Sequence, residues 1–579
     1  MPCLRGGAPF DLKRRGVSGV ICSYACTATF LRSRIKRMVS SPSLSDRYWG
    51  SYVRDEALKE LFARWTRERP SFDLSAFLKE LHDPRGHQQM LSVILPLLSE
   101  YRCEIGKKDG GFIVRWRQEE EEPCRPDELP PGRMVDAAIQ DQIESYITAT
   151  TRKPWDDSET LKKIQDAVIA QKENYWKEGE KRQIRYTDEY SIFAYLAYHF
   201  PVYYIQMRHL LSELMQDGLL PKRMAVLDVG SGPGTVTLAL RSILAETPGC
   251  HAAVHAIEHS DAWREAYQAL VPAICEGSNN CATLPPIPLD ITDPDAPLPE
   301  GPYDLIVCAN ILNEIPEKTV REAVVMRLAG TLRETGALLI SEPADLVNAT
   351  ELRNLSRRLH DRGLSIFAPC LDIRGVPCSV QRCWSFIQLP EVKPTRLMTA
   401  VAATDEPYRF YNTDIKAAFA IHNKDGRKRI DYTVPRTAKA DRISRLHLHV
   451  GKKINVIAQK ISENIGDSGT YLYRICDGTG KREAYAALPA YHIADKNSHL
   501  RRAAYGSVLR FDRVLVRHHK KYDAYHLLLT KESGVELVAG KITKEEPEPP
   551  REARKETKQG FRRRAKQQGP SKTKKSKKK

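Results

Sequence analysis

Apolar residues return every third or fourth position through SETLKKIQDAVIAQKENYW (158–176) and FAYLAYHFPVYYIQMRHLLSELMQDG (193–218). That period predicts amphipathic helices, the second stopping at Gly218. Beyond it, short apolar runs MAVLDVG (224–230), HAAVHAIEH (251–259), YDLIVCANIL (303–312) and GALLISEP (336–343) alternate with helical patterns such as VTLALRSILAET, DAWREAYQALVPAI and EKTVREAVVMRLAGTL. Strand alternating with helix means parallel strands joined by crossover helices. The expected architecture is therefore α/β: a doubly wound, Rossmann-like domain over 222–395, entered through a helical lead-in over 134–221.

From about 440 the texture changes to HLHVGKKINVIAQKI, TYLYRICDG and GSVLRFDRVLVRHHKKYDAYHLLLT, β-rich runs with turn residues between them and Lys, Arg and His at exposed positions. They predict a β-rich module over 440–543, a small barrel or sandwich, with an oligonucleotide-binding (OB-like) barrel as one candidate. Residues 41–118, with DEALKELFARW and FIVRW, read as a small N-terminal module. EEEEPCRPDELPPGR marks an acidic, proline-rich linker over 119–133, and 396–439 is a connecting segment.

A length of 579 residues is too great for one core and suits this multidomain division. No run of about eighteen apolar residues occurs, which removes any motive for a transmembrane helix. The net charge of +17 is concentrated at the ends: residues 1–40 carry +7 and residues 557–579 carry +11, leaving −1 for 41–556. The tail FRRRAKQQGPSKTKKSKKK has too little apolar surface to fold, so 544–579 is expected to be a disordered basic arm. Such an arm suits nucleic acid, because each neutralised phosphate releases counterions. Residues 1–40, Arg-bearing and acid-poor, are either a leader resembling a mitochondrial transit peptide or an upstream extension ahead of Met38. The expected location is cytoplasmic, or the mitochondrial matrix if 1–40 is a transit peptide.

Thirteen cysteines at irregular spacing point to a reducing compartment rather than a disulfide framework, with most of them ordinary buried thiols. IFAPCLDIRGVPCSVQRCWSF (366–386) is the exception, placing Cys370, Cys378 and Cys383 inside one loop. The spacing is not a CxxC knuckle, yet three soft thiolates together suit zinc or an iron–sulfur cluster. Either metal needs a fourth ligand, and Cys476 in the turn-like RICDGTG is the candidate.

In VLDVGSGPG (226–234) an apolar strand runs into three alternate glycines and then a helix. Glycine lets a backbone approach a ligand closely, and the helix start offers unpaired N–H groups. The GxGxG spacing resembles motif I of class I S-adenosylmethionine-dependent methyltransferases. That resemblance implies cofactor contacts from Asp228, Gly230, Gly232 and Gly234, from Glu258 at a strand end, from Asp290 in PLDITD and from Asn310 after the DLIVCAN strand. ANILNEIP stands where many amine methyltransferases carry an NPPY-like tetrapeptide, and no general base stands out beside Asn313 and Glu314, so no catalytic residue is assigned.

The order of RYTDEYSIFAYLAYHFPVYYIQMRHLLSEL, DVGSGPGT, ANILNEIP, ISEP, the cysteine loop and AAFAIHNKDG resembles the mitochondrial small-ribosomal-subunit methyltransferase-like assembly family, which has bacterial and archaeal members. The resemblance spans roughly 180–425. It implies a [4Fe–4S] cluster on Cys370, Cys378, Cys383 and Cys476, and binding to the small ribosomal subunit and its rRNA by a protein that is monomeric off the ribosome. APCL, VPCS and CWSF stand where the family commonly has APCP, a CP pair and WCHF. Two other readings stay open: an active rRNA methyltransferase, and a zinc-stapled RNA-binding protein without catalysis.

Overall fold

The computed structural model describes residues 48–81, 87–108, 111–117, 122–126, 132–175, 189–278, 280–378 and 382–543. The leader 1–40, the basic tail 544–579 and parts of the linker 119–133 lie outside the described residues.

A small unit within 48–117 contains helices α1 (Tyr48–Glu68), α2 (Leu74–Leu81) and α3 (His87–Glu100) with strands β1 (Ser71–Asp73), β2 (Cys103–Lys108) and β3 (Gly111–Trp116). The strands form an antiparallel sheet in the order β1-β3-β2. Its core is aromatic: Phe62, Trp65, Phe72 and Phe77 meet edge to face with centroids 5.1–5.8 Å apart.

The large unit begins with α4 (Ala137–Thr151), α5 (Ser158–Tyr175), α6 (Glu189–Tyr198) and α7 (Phe200–Gln216). Their buried faces, including Ile143, Val168, Phe193 and Leu211, belong to the same hydrophobic core as the sheet that follows. That sheet contains β4 (Arg223–Val229), β5 (His251–Ile257), β6 (Cys281–Thr283), β7 (Tyr303–Ala309), β8 (Leu332–Pro343), β9 (Ser365–Ala368), β10 (Ile387–Leu389) and β11 (Ile415–Asn423). The order β6-β5-β4-β7-β8 is parallel, and β11 lies antiparallel against β8. Crossovers α8 (Thr235–Ala245), α9 (Asp261–Cys275), α10 (Lys318–Gly330) and α11 (Leu346–Asp361) join them. Five parallel strands with a reversal between β4 and β7 and an antiparallel strand beside the last make the class I methyltransferase arrangement. The ligand crevice of such a sheet lies at the carboxyl ends of β4, β5 and β7, where the strand order reverses.

The far edge of the sheet is split. Strand β9 pairs with Ile421–Asn423 and β10 with Ile415–Ala417, so both lie along the same strand, β11. Residues 369–386, which carry the three clustered cysteines, are the excursion between these half-strands.

Strands β12 (Lys453–Lys460), β13 (Thr470–Cys476), β14 (Ala484–Pro489), β15 (Val508–His519) and β16 (Ala524–Leu528) close into a barrel, with β17 (Gly534–Ala539) added beside β15. The circuit is β12-β13-β14-β16-β15 and back to β12, with β14 and β16 parallel and the remaining pairs antiparallel. A short helix, α12 (His499–Arg502), sits between the third and fourth strands. This is the five-stranded Greek-key barrel of the OB-fold, which settles barrel against sandwich. Alternate residues such as Tyr473, Ala486, Phe511 and Leu527 point inward and fill it.

One cysteine expectation is corrected. Cys124 and Cys250 are not single buried thiols but a disulfide, with Cα atoms 5.9 Å apart. The cause is the sheet order: Cys124 N donates to Leu220 O at 2.8 Å near the start of β4, and β5, which Cys250 precedes, is the neighbour of β4. Spacing along the chain could not show that two residues 126 apart reach one sheet end. Among the described residues no helix is long and apolar enough to cross a membrane.

Candidate functional site

A cavity of about 480 Å³ opens at the carboxyl ends of β4, β5 and β7. Gly230 and Ser231, leaving β4, both donate backbone N–H groups to Ile257 O, at 2.9 and 3.0 Å, which folds the glycine turn over the end of β5. Glu258 then closes the turn: Oε2 accepts from Gly232 N and Oε1 from Ser260 N, each at 2.9 Å. Burial pushes the Glu258 carboxyl above its usual range despite those donors. Two oxygens offer about four acceptor positions, so the carboxylate keeps capacity for ligand hydroxyls.

The three glycines have different tasks. At Gly232, φ is +53° and a Cβ would meet nothing within 4 Å, so the backbone faces open space. At Gly234, φ is +89° and a Cβ would stand 2.3 Å from Val271 Cγ2, so this position lets α8 pack against α9. Gly230, Gly232, Glu258, Asp290 and Asn310 all line the cavity, whereas Asp228 and Gly234 do not. Asp228 lies beneath, 1 % exposed, accepting from Thr237 Oγ1 at 2.9 Å; burial pushes its carboxyl up to about 7. Asp290 is held by Thr292, whose N and Oγ1 donate to Oδ1 at 2.8 and 2.7 Å.

Asn310 carries a left-handed backbone, φ +57°, with its N–H bonded to Ser341 O at 2.8 Å. Strained non-glycine positions of this kind gather at functional sites. The side-chain oxygens of Asn310 and Asn313 and the Ser231 hydroxyl are buried without hydrogen-bond partners among the described residues. Unsatisfied polar atoms around a cavity suit a polar ligand that supplies their partners.

Sequence reasoning missed an aromatic part of this wall and a buried acid beneath it. Tyr195, His199 and Tyr203 come from the helical lead-in and Trp263 from α9; His199 stacks on Tyr203 at 5.7 Å and Tyr195 meets Trp263 edge-on at 5.0 Å. Burial, then Lys172, holds His199 down to about 4, so the imidazole is neutral. Glu342, in ISEP, accepts from Leu312 N at 3.1 Å, and burial pushes it up to about 8. It supports the Asn310–Glu314 turn from below. Their helical period marked the aromatics only as core, and ISEP showed nothing of its depth.

The second site joins the α/β domain to the barrel. Gln459 on β12 is the ladder partner of Cys476, and its Nε2 donates to Pro369 O, the residue before Cys370. Arg474, two residues before Cys476, donates to Arg382 O, the residue before Cys383, at 3.4 Å. Thr350 on α11 exchanges hydrogen bonds with Cys383 N and O at 3.1 and 3.2 Å. Leu371 and Ile373 from the loop share a small core with Ile457 and Val508 of the barrel. Burial, then Cys370, pushes the Cys378 thiol up to about 11; burial, then Cys378 and Cys383, raises Cys476. The four thiols thus share one neighbourhood, all free and half-buried. They are not closed into a coordination cage: among the described residues no three His, Cys, Asp or Glu stand in metal-holding geometry.

Cationic side chains surround them. Arg353 is 1 % exposed; Nη2 donates to Phe419 O, while Nε and Nη1 have no partner among the described residues. Arg474 is 4 % exposed; its Nη2 faces Glu483 Oε1 at 3.5 Å, while Nη1 is unpartnered among the described residues. Both act electrostatically on Cys383. Buried guanidinium donors without partners are costly unless something anionic faces them. Four thiolates holding a metal or cluster would supply that charge, so the residues fit such a group.

Residues 189–400 match the family model described as mitochondrial small ribosomal subunit Rsm22. Residues 444–538 match a second model, the C-terminal domain of a domain of unknown function, DUF8157. No curated protein matches the sequence significantly. Among solved structures, the magnesium protoporphyrin IX methyltransferase of Synechocystis PCC 6803 is 15 % identical, with 50 % of this chain and 99 % of that one covered and a TM-score of 0.24. Human N-acetylserotonin methyltransferase is 16 % identical, with 52 % and 81 % covered and a TM-score of 0.18. A putative O-methyltransferase from Nostoc punctiforme PCC 73102 is 13 % identical, with 52 % and 80 % covered and a TM-score of 0.22. Likenesses this distant add nothing to the fold, which rests on the strand order of the chain. Residues 189–400, which match the family model described as mitochondrial small ribosomal subunit Rsm22, are folded on a class I methyltransferase sheet.

Proposed function

We propose that the protein is a methyltransferase-like assembly factor of the small ribosomal subunit that binds rRNA and carries S-adenosylmethionine and a [4Fe–4S] cluster. The observation that carries this reading is the junction: the cysteine loop of the family-matched segment is joined to Cys476 of an OB-fold barrel, with buried guanidinium groups around the thiols. Cys370, Cys378, Cys383 and Cys476 are the ligands in this reading, and the cluster clips the two domains together, because metal binding and folding are coupled. The basic tail adds sequence-independent affinity for RNA.

In the cavity, Gly230 and Gly232 bring the backbone against S-adenosylmethionine, Glu258 accepts its ribose hydroxyls, and Asp290 and Asn310 line the remainder. Asp228 supports the turn from beneath and Gly234 sets the packing of α8. When bound, the cofactor supplies an activated methyl group.

Anaerobic purification with metal analysis tests the cluster: about four irons per chain, lost in Cys476→Ser, is the expected result. One zinc per chain would favour the zinc-stapled alternative. Sedimentation of cell extract tests the role; absence of the protein from small-subunit precursors would sink it.

An active rRNA methyltransferase is the second reading, favoured by Asn313 and Glu314 lining the same cavity as the glycine turn. Transfer of labelled methyl to small-subunit RNA, abolished by Gly232→Asp, would establish it. No transfer to any assembly intermediate would remove it.

A further inference from the structure

The barrel carries a row of rings that neither the cavity nor the cysteine junction uses. Tyr522, in the turn between β15 and β16, stacks on His519 with centroids 4.9 Å apart and planes 23° apart. His519 stacks in turn on His526, at 5.2 Å and 26°. His526 meets Tyr485 edge-on at 5.5 Å. The strand register sets this order, since His526 is the ladder partner of Tyr485 on one side and Arg517 on the other. The row runs from Tyr485, 8 % exposed, to Tyr522, 65 % exposed.

At the inner end Tyr485 donates its hydroxyl to Glu483 Oε2 at 2.6 Å, while the outer end is basic. Arg517, Lys520 and Lys521 are exposed around the outer end, and Lys521 Nζ lies 5.1 Å from the Tyr522 ring centroid. The acid in the turn, Asp523, is already engaged by Arg482 Nε and His518 Nε2, both at 2.9 Å. Burial, then His519, keeps His526 below the usual imidazole range, which favours its neutral ring.

Barrels of this class commonly take ligands on the face of their second and third strands and on the adjoining loops. Here the end of the second strand is committed to the cysteine loop through Arg474 and Cys476. The ring row lies instead across the third, fifth and fourth strands. We propose that Tyr522, His519, His526 and Tyr485 form a stacking platform for unpaired RNA bases, with Arg517, Lys520 and Lys521 holding the flanking phosphates. An exposed ring at the end of a prepared stack, ringed by cations, offers the two contacts that single-stranded RNA recognition uses. The proposal rests on the RNA-binding reading above and specifies where and what kind of RNA.

The test uses the full chain with a fluorescein-labelled oligouridine of about 12 nucleotides, chosen to span one barrel, and a duplex RNA of equal length. Tyr522→Ala is expected to weaken oligouridine binding about tenfold while leaving its salt dependence and duplex binding unchanged, and Tyr522→Phe to remain near wild type. Lys520→Gln with Lys521→Gln should instead lower the slope of log affinity against log salt by roughly 1.4, as for two phosphates of a single strand. Photo-crosslinking of 4-thiouridine RNA should label the peptide containing residues 517–526, a readout the basic tail cannot mask. If the chain binds oligouridine but Tyr522→Ala matches wild type and crosslinks fall elsewhere, the platform is wrong and RNA binding stands. Equal losses on single strand and duplex would reduce the patch to a charge effect and overturn stacking. If the wild-type chain binds neither RNA, the RNA-binding reading itself fails.

Discussion

The Arg374 guanidinium, four residues beyond Cys370, lies 3.4 Å from the carboxylate of Asp477, the neighbour of Cys476, and the two side chains are 7 % and 0 % exposed. Asp477 also accepts from Ile443 N at 3.0 Å, and Arg374 Nη2 donates to Asp441 O at 3.0 Å. The pair therefore ties the cysteine loop to the barrel independently of any metal. Breaking a buried pair by removing one partner leaves an uncompensated charge, at a cost of about 3–5 kcal/mol. Arg374→Met should lower the thermal midpoint and expose the 424–452 connection to protease. An unchanged midpoint and cleavage pattern would show that the apolar contacts alone hold the junction.

The glycine turn separates a ligand position from a packing position. Gly234→Ala should destabilise the fold by on the order of 2–5 kcal/mol, since its Cβ would overlap Val271 at a left-handed φ. Gly232→Ala should cost only about 1–2 kcal/mol, because its Cβ enters open space. Gly232→Asp should remove S-adenosylmethionine binding in calorimetry while the protein stays folded. Retained affinity would exclude the turn as the cofactor site.

Two buried acids make the stability of the cofactor-free protein depend on pH. Burial raises Asp228 to about 7 and Glu342 to about 8, so between roughly pH 4 and pH 7–8 the folded chain holds more protons than the unfolded chain. Unfolding free energy should accordingly fall as pH rises through that window, being fully present below the unfolded carboxyl range. Asp228→Asn should flatten the lower part of the curve in denaturant titrations, by on the order of a few kcal/mol. A variant curve parallel to wild type would assign the slope to other groups.

Arg353 and Arg474 should act on whatever the thiols hold. Arg353→Met or Arg474→Met should reduce iron retained after anaerobic gel filtration and lower the reduction potential of what remains, because a positive charge leaves the surroundings of an anionic group. Unchanged iron content and potential in both variants would make these arginines purely structural.

The sheet was legible from MAVLDVG, HAAVHAIEH, YDLIVCANIL and GALLISEP because a buried parallel strand needs a short apolar run and its crossover an amphipathic one. Gly232, Glu258 and Asn310 could be placed for the same reason: each follows a strand, and strand ends converge where the order reverses, whereas Asp290 rested on the resemblance alone. Asp228 and Gly234 match the motif equally well but lie off the cavity, Asp228 bonded to Thr237 and Gly234 packed close to Val271. The Tyr195, His199, Tyr203 and Trp263 wall was hidden because a helix lining a cavity and a helix buried in a core have the same period.

By itself the sequence determined element types, the glycine turn, the clustered cysteines and the charged ends, since these depend on residues near one another along the chain. Tertiary structure alone decided that Cys124 meets Cys250, that Cys476 stands opposite a β12 glutamine bonded beside Cys370, that Arg353 is buried with unmatched donors, and that rings from three strands and one turn align. Each of these is a contact between segments many residues apart, and only the register of strands and the closure of the barrel brings such segments together.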